Sequence, residues 1–373
     1  MIRVLHVIGA MGSGGAETVL MNIYRNIDRT KIQFDFAVHT DSEAFYDKEI
    51  LSLGGRIYHT ERFVVKNYKK YKKFWDDFFN AHREYHIVHG HINSSAVIYL
   101  ESAKRYGCIT IVHSHNTKNP ELSVKALAFK FFSYPLRYIS DYFLACSEQA
   151  AVDRFGKHVA YSDRCNILRN GIDINAFSFS MEKRIEIRKE LSIENDFVIG
   201  HVGRFTRQKN HSYLIDVFQA VKSVVPNTKL CLIGTGELEK EIQTKVHGKK
   251  LDNDVIFLGV TDRVNEYLMA MDVFVFPSIY EGLGMSLVEA QISGLPCVIS
   301  KAIQDEAVIC KDTVTKMRLD ISPHEWASKI VQSRGMERID NSQVVKNAGY
   351  DIVDVSRWLE DYYIQLEHIT SIK

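Results

Sequence analysis

The sequence predicts an α/β fold with two doubly wound parallel sheets, and three observations carry the prediction. Short β-branched or apolar runs alternate with longer amphipathic segments along the chain. The runs are continuously apolar rather than alternating, the mark of parallel strands covered on both faces. At 373 residues the chain exceeds one ordinary domain, and the strand series restarts after a charged helical stretch.

The first series reads IRVLHVIG, FDFAVHT, RIYHT, IVHGH, CITIVHSH, DYFLACS and CNILRNG. The second reads VIGHVGR, KLCLIGTG, VIFLGV, DVFVFPS and LPCVIS. Between them NGIDINAFSFS has turn character and MEKRIEIRKELSI reads as a charged helix, placing the seam near 175–195. The expected domains are 1–177 and 178–350. In the tail, 351–373, Val355, Trp358, Leu359, Tyr362 and Leu366 fall at helical spacing, and this helix is expected to pack back on the first domain.

Composition narrows the function classes. With 46% hydrophobic and 25% charged residues and a net charge of +1, nothing indicates a nucleic-acid binder. The sign is uneven: residues 1–175 carry 23 Lys+Arg against 18 Asp+Glu, the remainder 24 against 28, so the first half is the one expected to meet an anionic ligand or surface. Six dispersed cysteines with no CxxC fit reduced thiols in a cytoplasm. The opening apolar run is interrupted by His6 and leads into a glycine loop, which fits a first strand better than a signal peptide. No stretch approaches the ~18 apolar residues of a membrane span.

Several motifs sit where open α/β sheets bind ligands, after strands. The loop GAMGSGGAE (9–17) suits close approach of a ligand to backbone N–H groups at a helix start. It is not a dinucleotide fingerprint, because position 17, where the third glycine would fall, is Glu17; this weighs against a dehydrogenase. His89 and His91 (HGH) and His113 and His115 (HSHN) pair at i, i+2 on strand ends. Neither pair has a carboxylate or cysteine at ligand spacing, so substrate hydrogen bonding or proton relay is expected over a metal. In VGRFTRQKN, Arg204 and Lys209 suit a diphosphate, with a solvated basic loop as the alternative. LIGTGELE (Gly234, Gly236) is a weak G-x-G, and LDND (Asp252, Asp254) precedes a strand and reads as a polar loop. In YEGLGMSLVEA, Glu281 lies on a loop and Glu289 is expected about two turns into a helix, roughly 10 Å further on. That separation disfavours a catalytic dyad and suits two grips on one extended ligand, whose diphosphate would rest on Gly282, Gly284 and the helix dipole.

Together Gly14-Gly15-Ala16-Glu17, Asn170-Gly171-Ile172-Asp173, Gly203-Arg204 with Lys209-Asn210, Gly234-x-Gly236 and Glu281-x7-Glu289 resemble glycosyltransferase family 4, in family order over nearly the whole chain. HSHN and HEWASKI (324–330) resemble its bacterial capsular and exopolysaccharide branch. The resemblance implies the GT-B fold, two Rossmann-like domains facing a cleft, and a retaining, metal-independent hexosyl transfer from a nucleotide-diphosphate sugar, UDP favoured. It implies that Gly14, Gly15, Gly203, Arg204, Lys209, Gly234, Val260, Gly282, Leu283 and Gly284 line the donor. Arg204 and Lys209 would offset leaving-group charge, Glu281 would contact the sugar, and Glu289 the ribose. One of His113 and His115 would face the reacting sugar, and Glu17, His91 and Asn116 would serve the acceptor, a saccharide or lipid-linked saccharide. No cofactor is expected. A nucleotide-sugar epimerase of the same fold and a non-catalytic assembly partner are the rival readings. The basic–aromatic segments 66–79 and 125–138 suit peripheral contact with an anionic membrane, or equally core-facing helices with a solvated basic side.

Overall fold

The computed structural model describes residues 1–12, 14–115 and 134–372. Asn116 and the 125–133 part of the second basic–aromatic segment lie outside the described residues. The chain divides into two compact units, Met1–Ile172 with Gly349–Lys373, and Asp173–Ala348.

The first unit holds β1 (Ile2–Ile8), β2 (Ile32–Val38), β3 (Ile57–His59), β4 (Tyr85–Gly90), β5 (Ile109–Ser114), β6 (Tyr142–Ala145) and β7 (Cys165–Ile167). They form one parallel sheet in the order β3-β2-β1-β4-β5-β6-β7. The second unit holds β8 (Phe197–Val202), β9 (Thr228–Ile233), β10 (Val255–Gly259), β11 (Val273–Phe276), β12 (Cys297–Ser300) and β13 (Val314–Met317), parallel in the order β10-β9-β8-β11-β12-β13. β13, VTKM, escaped the sequence reading. It is an edge strand of mixed polarity, so it has no continuous apolar run to reveal it.

Period-two alternation distributes the central strands of the first unit between two cores. Leu5, Val7 and Val88 face a core built with Tyr71, Trp75, Phe78 and Phe79 of the Tyr68–Ala81 helix. Val4, Ile8, Ile87 and Ile111 face the other, covered by the Gly15–Asn26 helix and the C-terminal Ile352–Ile372 helix. That last helix packs through Ile352, Val355, Leu359, Tyr363 and Leu366. Tyr363, not Trp358, completes the stripe; Trp358 remains 38% exposed and stacks on Tyr362 at 5.0 Å between ring centroids.

The unit boundaries fall at 172/173 and 348/349, against 177/178 and 350/351 in the sequence reading. Ile172 N donates to Tyr350 O at 2.8 Å and Ile352 N to Ile172 O at 3.0 Å, tying departing and returning chain together. Residues 173–177 instead form a short helix capped by Asp173, and Phe177 O accepts from Ser293 Oγ at 2.9 Å within the second unit. The Tyr68–Ala81 helix is core-facing, and its Lys70, Lys72 and Lys73 pair with Glu61, Asp76 and Asp77. Asp254 of LDND likewise serves structure, pairing with Lys222 at 2.9 Å and Lys229 at 3.0 Å. Five of the six free cysteines are buried, Cys165 partly so.

Candidate active site

Strand order explains where sites form. In the second sheet the chain runs from β8 outward to β9 and β10, then returns on the other side as β11. Loops leaving β8 and β11 therefore diverge, and the carboxyl ends of these strands flank the crevice characteristic of a topological switch point. Arg204, Lys209 and Glu281 lie on those two loops.

Lys209 Nζ lies 2.8 Å from Glu281 Oε1 and 4.6 Å from the Phe276 ring centroid. Glu281 is only 6% exposed. Gln208 Nε2 donates to Tyr280 O at 3.0 Å and Glu281 Oε2 at 3.3 Å, while Ile279 N donates to Gln208 O at 2.8 Å. Asn210, in the left-handed region at φ 58°, turns the chain into the His211–Val224 helix and donates to Pro277 O at 3.2 Å. The two loops are thus one hydrogen-bonded body. Arg204 is exposed, and its side chain pairs with none of the described residues.

Close backbone approach supports this body. A Cβ on Gly203 would stand 3.0 Å from the Lys209 stem, and one on Gly234 (φ 129°) would collide with Gly203 O. A Cβ on Gly236 would stand 2.5 Å from Phe205 O and 2.8 Å from its N. Backbone cannot swing aside as a side chain can. Gly236→Ala is expected to cost about 1–3 kcal/mol of stability; denaturant unfolding of the variant checks it.

Gly284 (φ 74°) caps the Met285–Ile292 helix, Leu283 is buried, and Val260 is 56% exposed beyond Gly259. Because the helix starts at Met285, Glu289 is its fifth residue, little more than one turn in rather than two. It retains some exposure, yet the surrounding protein desolvates its carboxyl and raises its pKa to about 7, with Lys209 pulling the other way.

In the first unit β1 and β4 are the neighbours at the switch point. His6 pairs with His89 across them, and His113 follows on β5. His6, His89 and His113 alternate with Val7, Val88 and Val112, so they share the face covered by the C-terminal helix. His91 and His115 continue it beyond the strand ends. His6 Nδ1 and His91 Nε2 share a hydrogen bond of 3.0 Å, and His91 Nδ1 and His115 Nε2 one of 2.7 Å. His89 Nδ1 meets Tyr363 Oη at 2.7 Å. Burial, chiefly, lowers the pKa of all five rings, to about 3 for His6 and about 4 for His115. Gly14 caps the Gly15–Asn26 helix, Gly15 is exposed, and a Cβ on Gly14 would meet the Glu17 carboxylate. That carboxylate lies at the positive end of the helix, where a negative charge is favoured.

The structure therefore gathers Lys209, Glu281, Gly203 and Gly234 in the second unit and His91, His113 and His115 in the first. Sequence reasoning missed His6, which looked like a break in an apolar strand, and Gln208, whose role is visible only once the two loops meet.

Comparison with known proteins defines the class. A crystal structure of Anabaena HepE in complex with UDP and glucose superposes at a TM-score of 0.80 with 20% identity, covering 98% of this chain and 100% of that one. WaaG, a glycosyltransferase involved in lipopolysaccharide biosynthesis, superposes at 0.72 with 15% identity, covering 96% and 99%. The fold is the GT-B fold of glycosyltransferases. The model for Glycosyltransferase Family 4 matches residues 13–176 and that for Glycosyl transferases group 1 matches 182–333. EpsF of Bacillus subtilis (strain 168), named as a glycosyltransferase, is 33% identical over 98% of this chain and 97% of its own. CapH of Staphylococcus aureus, a capsular polysaccharide biosynthesis glycosyltransferase, is 25% identical over 88% and 90%. The chain belongs to glycosyltransferase family 4.

Proposed function

We propose that the protein transfers a hexosyl group, with retention of configuration, from a UDP-sugar to a saccharide or lipid-linked saccharide in cell-surface polysaccharide synthesis. The observation that carries the reading is the pairing of Lys209 with the buried Glu281 at the second unit's switch point, on the loops that also carry the exposed Arg204 and lead into the Met285–Ile292 helix. In this proposal Arg204, Lys209 and the helix N-terminus meet the diphosphate and stabilise the charge that develops as UDP leaves. Glu281 accepts from sugar hydroxyls, Glu289 from the ribose, and Val260 flanks the base. The first unit supplies His113 or His115 toward the reacting sugar, and Glu17, His91 and Asn116 for the acceptor. The donor and acceptor classes draw support from an Escherichia coli UDP-Gal:alpha-D-GlcNAc-diphosphoundecaprenol alpha-1,3-galactosyltransferase, 28% identical over 58% of each chain.

The donor step needs no divalent cation in this reading, because protein cations fill that role. Release of UDP from UDP-sugars in the presence of isolated lipid-linked acceptors, with and without added Mg2+ or Mn2+, tests it. Absence of transfer with every donor, or a strict requirement for either cation, overturns it. No helix among the described residues is long and apolar enough to cross a membrane. Peripheral contact with anionic lipid is therefore the proposed route to such an acceptor, and failure to float with anionic vesicles at low salt would reject it.

Glu289 gives the reading a pH signature. Hydroxyls donating to its carboxylate favour the ionised form, so UDP binding expels the proton held by a group with a pKa near 7. Affinity should then rise with pH between about 5 and 7 and level off above. Glu289→Gln should weaken UDP binding about tenfold. It should also remove the protein's share of the slope, leaving that of UDP's own phosphate. Calorimetry in buffers of different ionisation enthalpy measures the released proton directly.

A further inference from the structure

We propose that residues 62–69 of the first unit are the element that docks on an anionic bilayer. Val64, Val65 and Tyr68 enter the headgroup boundary, and Arg62, Lys66 and Lys69 meet lipid phosphates. This locates the peripheral contact proposed above and rests on it.

Six of the eight residues in RFVVKNYK are exposed. Val64 is 52%, Val65 71% and Tyr68 46% exposed. Phe63 turns inward, its ring centroid 5.3 Å from that of the buried Tyr71, and so anchors the segment while the two valines stay outside the core. The turn itself is ordered. Val65–Asn67 form one turn of 3-10 helix, in which Asn67 N donates to Val64 O at 2.9 Å and Tyr68 N to Val65 O. The Asn67 side chain accepts from Val64 N at 2.9 Å and donates to Arg62 O at 3.0 Å. Backbone groups paired in this way no longer depend on water, which lowers the cost of carrying the attached apolar side chains toward lipid.

Charge selects the kind of surface. Residues 61–77 contain six Lys and Arg against three Asp and Glu. All three acids are engaged, Glu61 by Lys70, Asp76 by Lys72 and Asp77 by Lys73. Arg62, Lys66 and Lys69 are exposed and form no ion pair among the described residues. The surplus positive charge therefore lies beside the exposed apolar side chains. The aromatic face of the helix that follows is already packed on the core. A Lys or Arg close to an anionic membrane strengthens binding about fivefold, and three together about a hundredfold. Apolar contact adds a part that salt does not screen.

A protein partner fits this turn less well. Three apolar side chains on one turn fall far short of the ~800 Å² per partner that stable protein interfaces bury. A bilayer surface requires no complementary shape. The turn follows β3, so it lies at the carboxyl end of the first sheet, where β4 and β5 lead to His91 and His115. Docking here turns the proposed acceptor end of the unit toward the membrane that would hold a lipid-linked acceptor.

The test is flotation of the full chain with phosphatidylcholine vesicles, with and without phosphatidylglycerol, at low and physiological salt. The wild type should float with the anionic vesicles alone. Val64→Ser/Val65→Ser should weaken binding about tenfold, and Arg62→Gln/Lys66→Gln/Lys69→Gln about a hundredfold. Lys189→Gln/Lys240→Gln/Lys250→Gln removes equal charge from exposed positions of the second unit and should change binding by less than about threefold. Melting temperatures equal to the wild type show that the variants are folded. In Val65→Trp, brominated lipid should quench the added emission. Wild-type binding that survives both substitutions at the turn, an equal loss in the second-unit control, or unquenched Val65→Trp emission overturns this location and leaves peripheral contact to another surface. Absence of wild-type flotation rejects the peripheral contact itself, and this location with it.

Discussion

Arg204→Ala and Lys209→Ala should each lower the rate of sugar transfer by about a hundredfold or more, equivalent to roughly 3 kcal/mol of barrier. Their effects on stability should differ, and that contrast separates catalysis from folding. Arg204 is exposed and its removal strands no partner among the described residues, so the melting temperature should hold. Lys209 neutralises a carboxylate that is only 6% exposed, and its loss removes the cation that faces this buried charge. Breaking such a pair costs about 3 kcal/mol, enough to lower the melting temperature by roughly 6–12 °C in a unit of this size. Adding Glu281→Gln to Lys209→Ala removes the buried charge as well. The double variant should regain most of that stability and none of the activity. Full activity in either single variant would mean that the diphosphate is held elsewhere.

The same pair shows what sequence can and cannot deliver. Lys209 and Glu281 are each recognisable by type and local setting, on loops after apolar strands. Their contact depends on β11 pairing with β8 rather than β10, and strand order is decided by tertiary packing. Lys209 could therefore be assigned to a diphosphate and Glu281 to a sugar without revealing that each fixes the other's side chain. The histidines follow the same logic. HGH and HSH were legible because i, i+2 repeats share a face, but His6 joins them only because β1 lies between β2 and β4. Most strands were legible because burial on both faces demands unbroken apolar runs; β13, at the edge, faces no such demand and left no signal. Trp358 misled for a related reason. Helical periodicity tolerates a residue at the margin of the stripe, and only packing distinguishes Trp358 from Tyr363.

Deleting residues 352–372 should prevent the first unit from folding, although most of that unit's sequence lies some 180 residues earlier. The helix buries Ile352, Val355, Leu359, Tyr363 and Leu366 against the face that carries Val4, Phe34, Phe36 and Ile87. At about 2 kcal/mol per large apolar side chain this burial is on the order of 10 kcal/mol, comparable to the whole stability of a domain. Polar contacts fix its register: Tyr363 Oη meets His89 Nδ1, Glu360 accepts from Asp28 N at 3.1 Å and pairs with Lys31 at 2.8 Å, and His86 Nδ1 lies 2.6 Å from Glu367. A milder test is Leu359→Ala, which removes a fully buried side chain and should cost about 2–5 kcal/mol. The second unit, whose core contains none of these residues, should still bind UDP in that variant. Calorimetric scans with and without UDP therefore distinguish the units: Leu359→Ala should lower one transition, and UDP should raise the other. A truncated chain that keeps both cooperative transitions would show that the first unit's sheet is covered by something other than this helix.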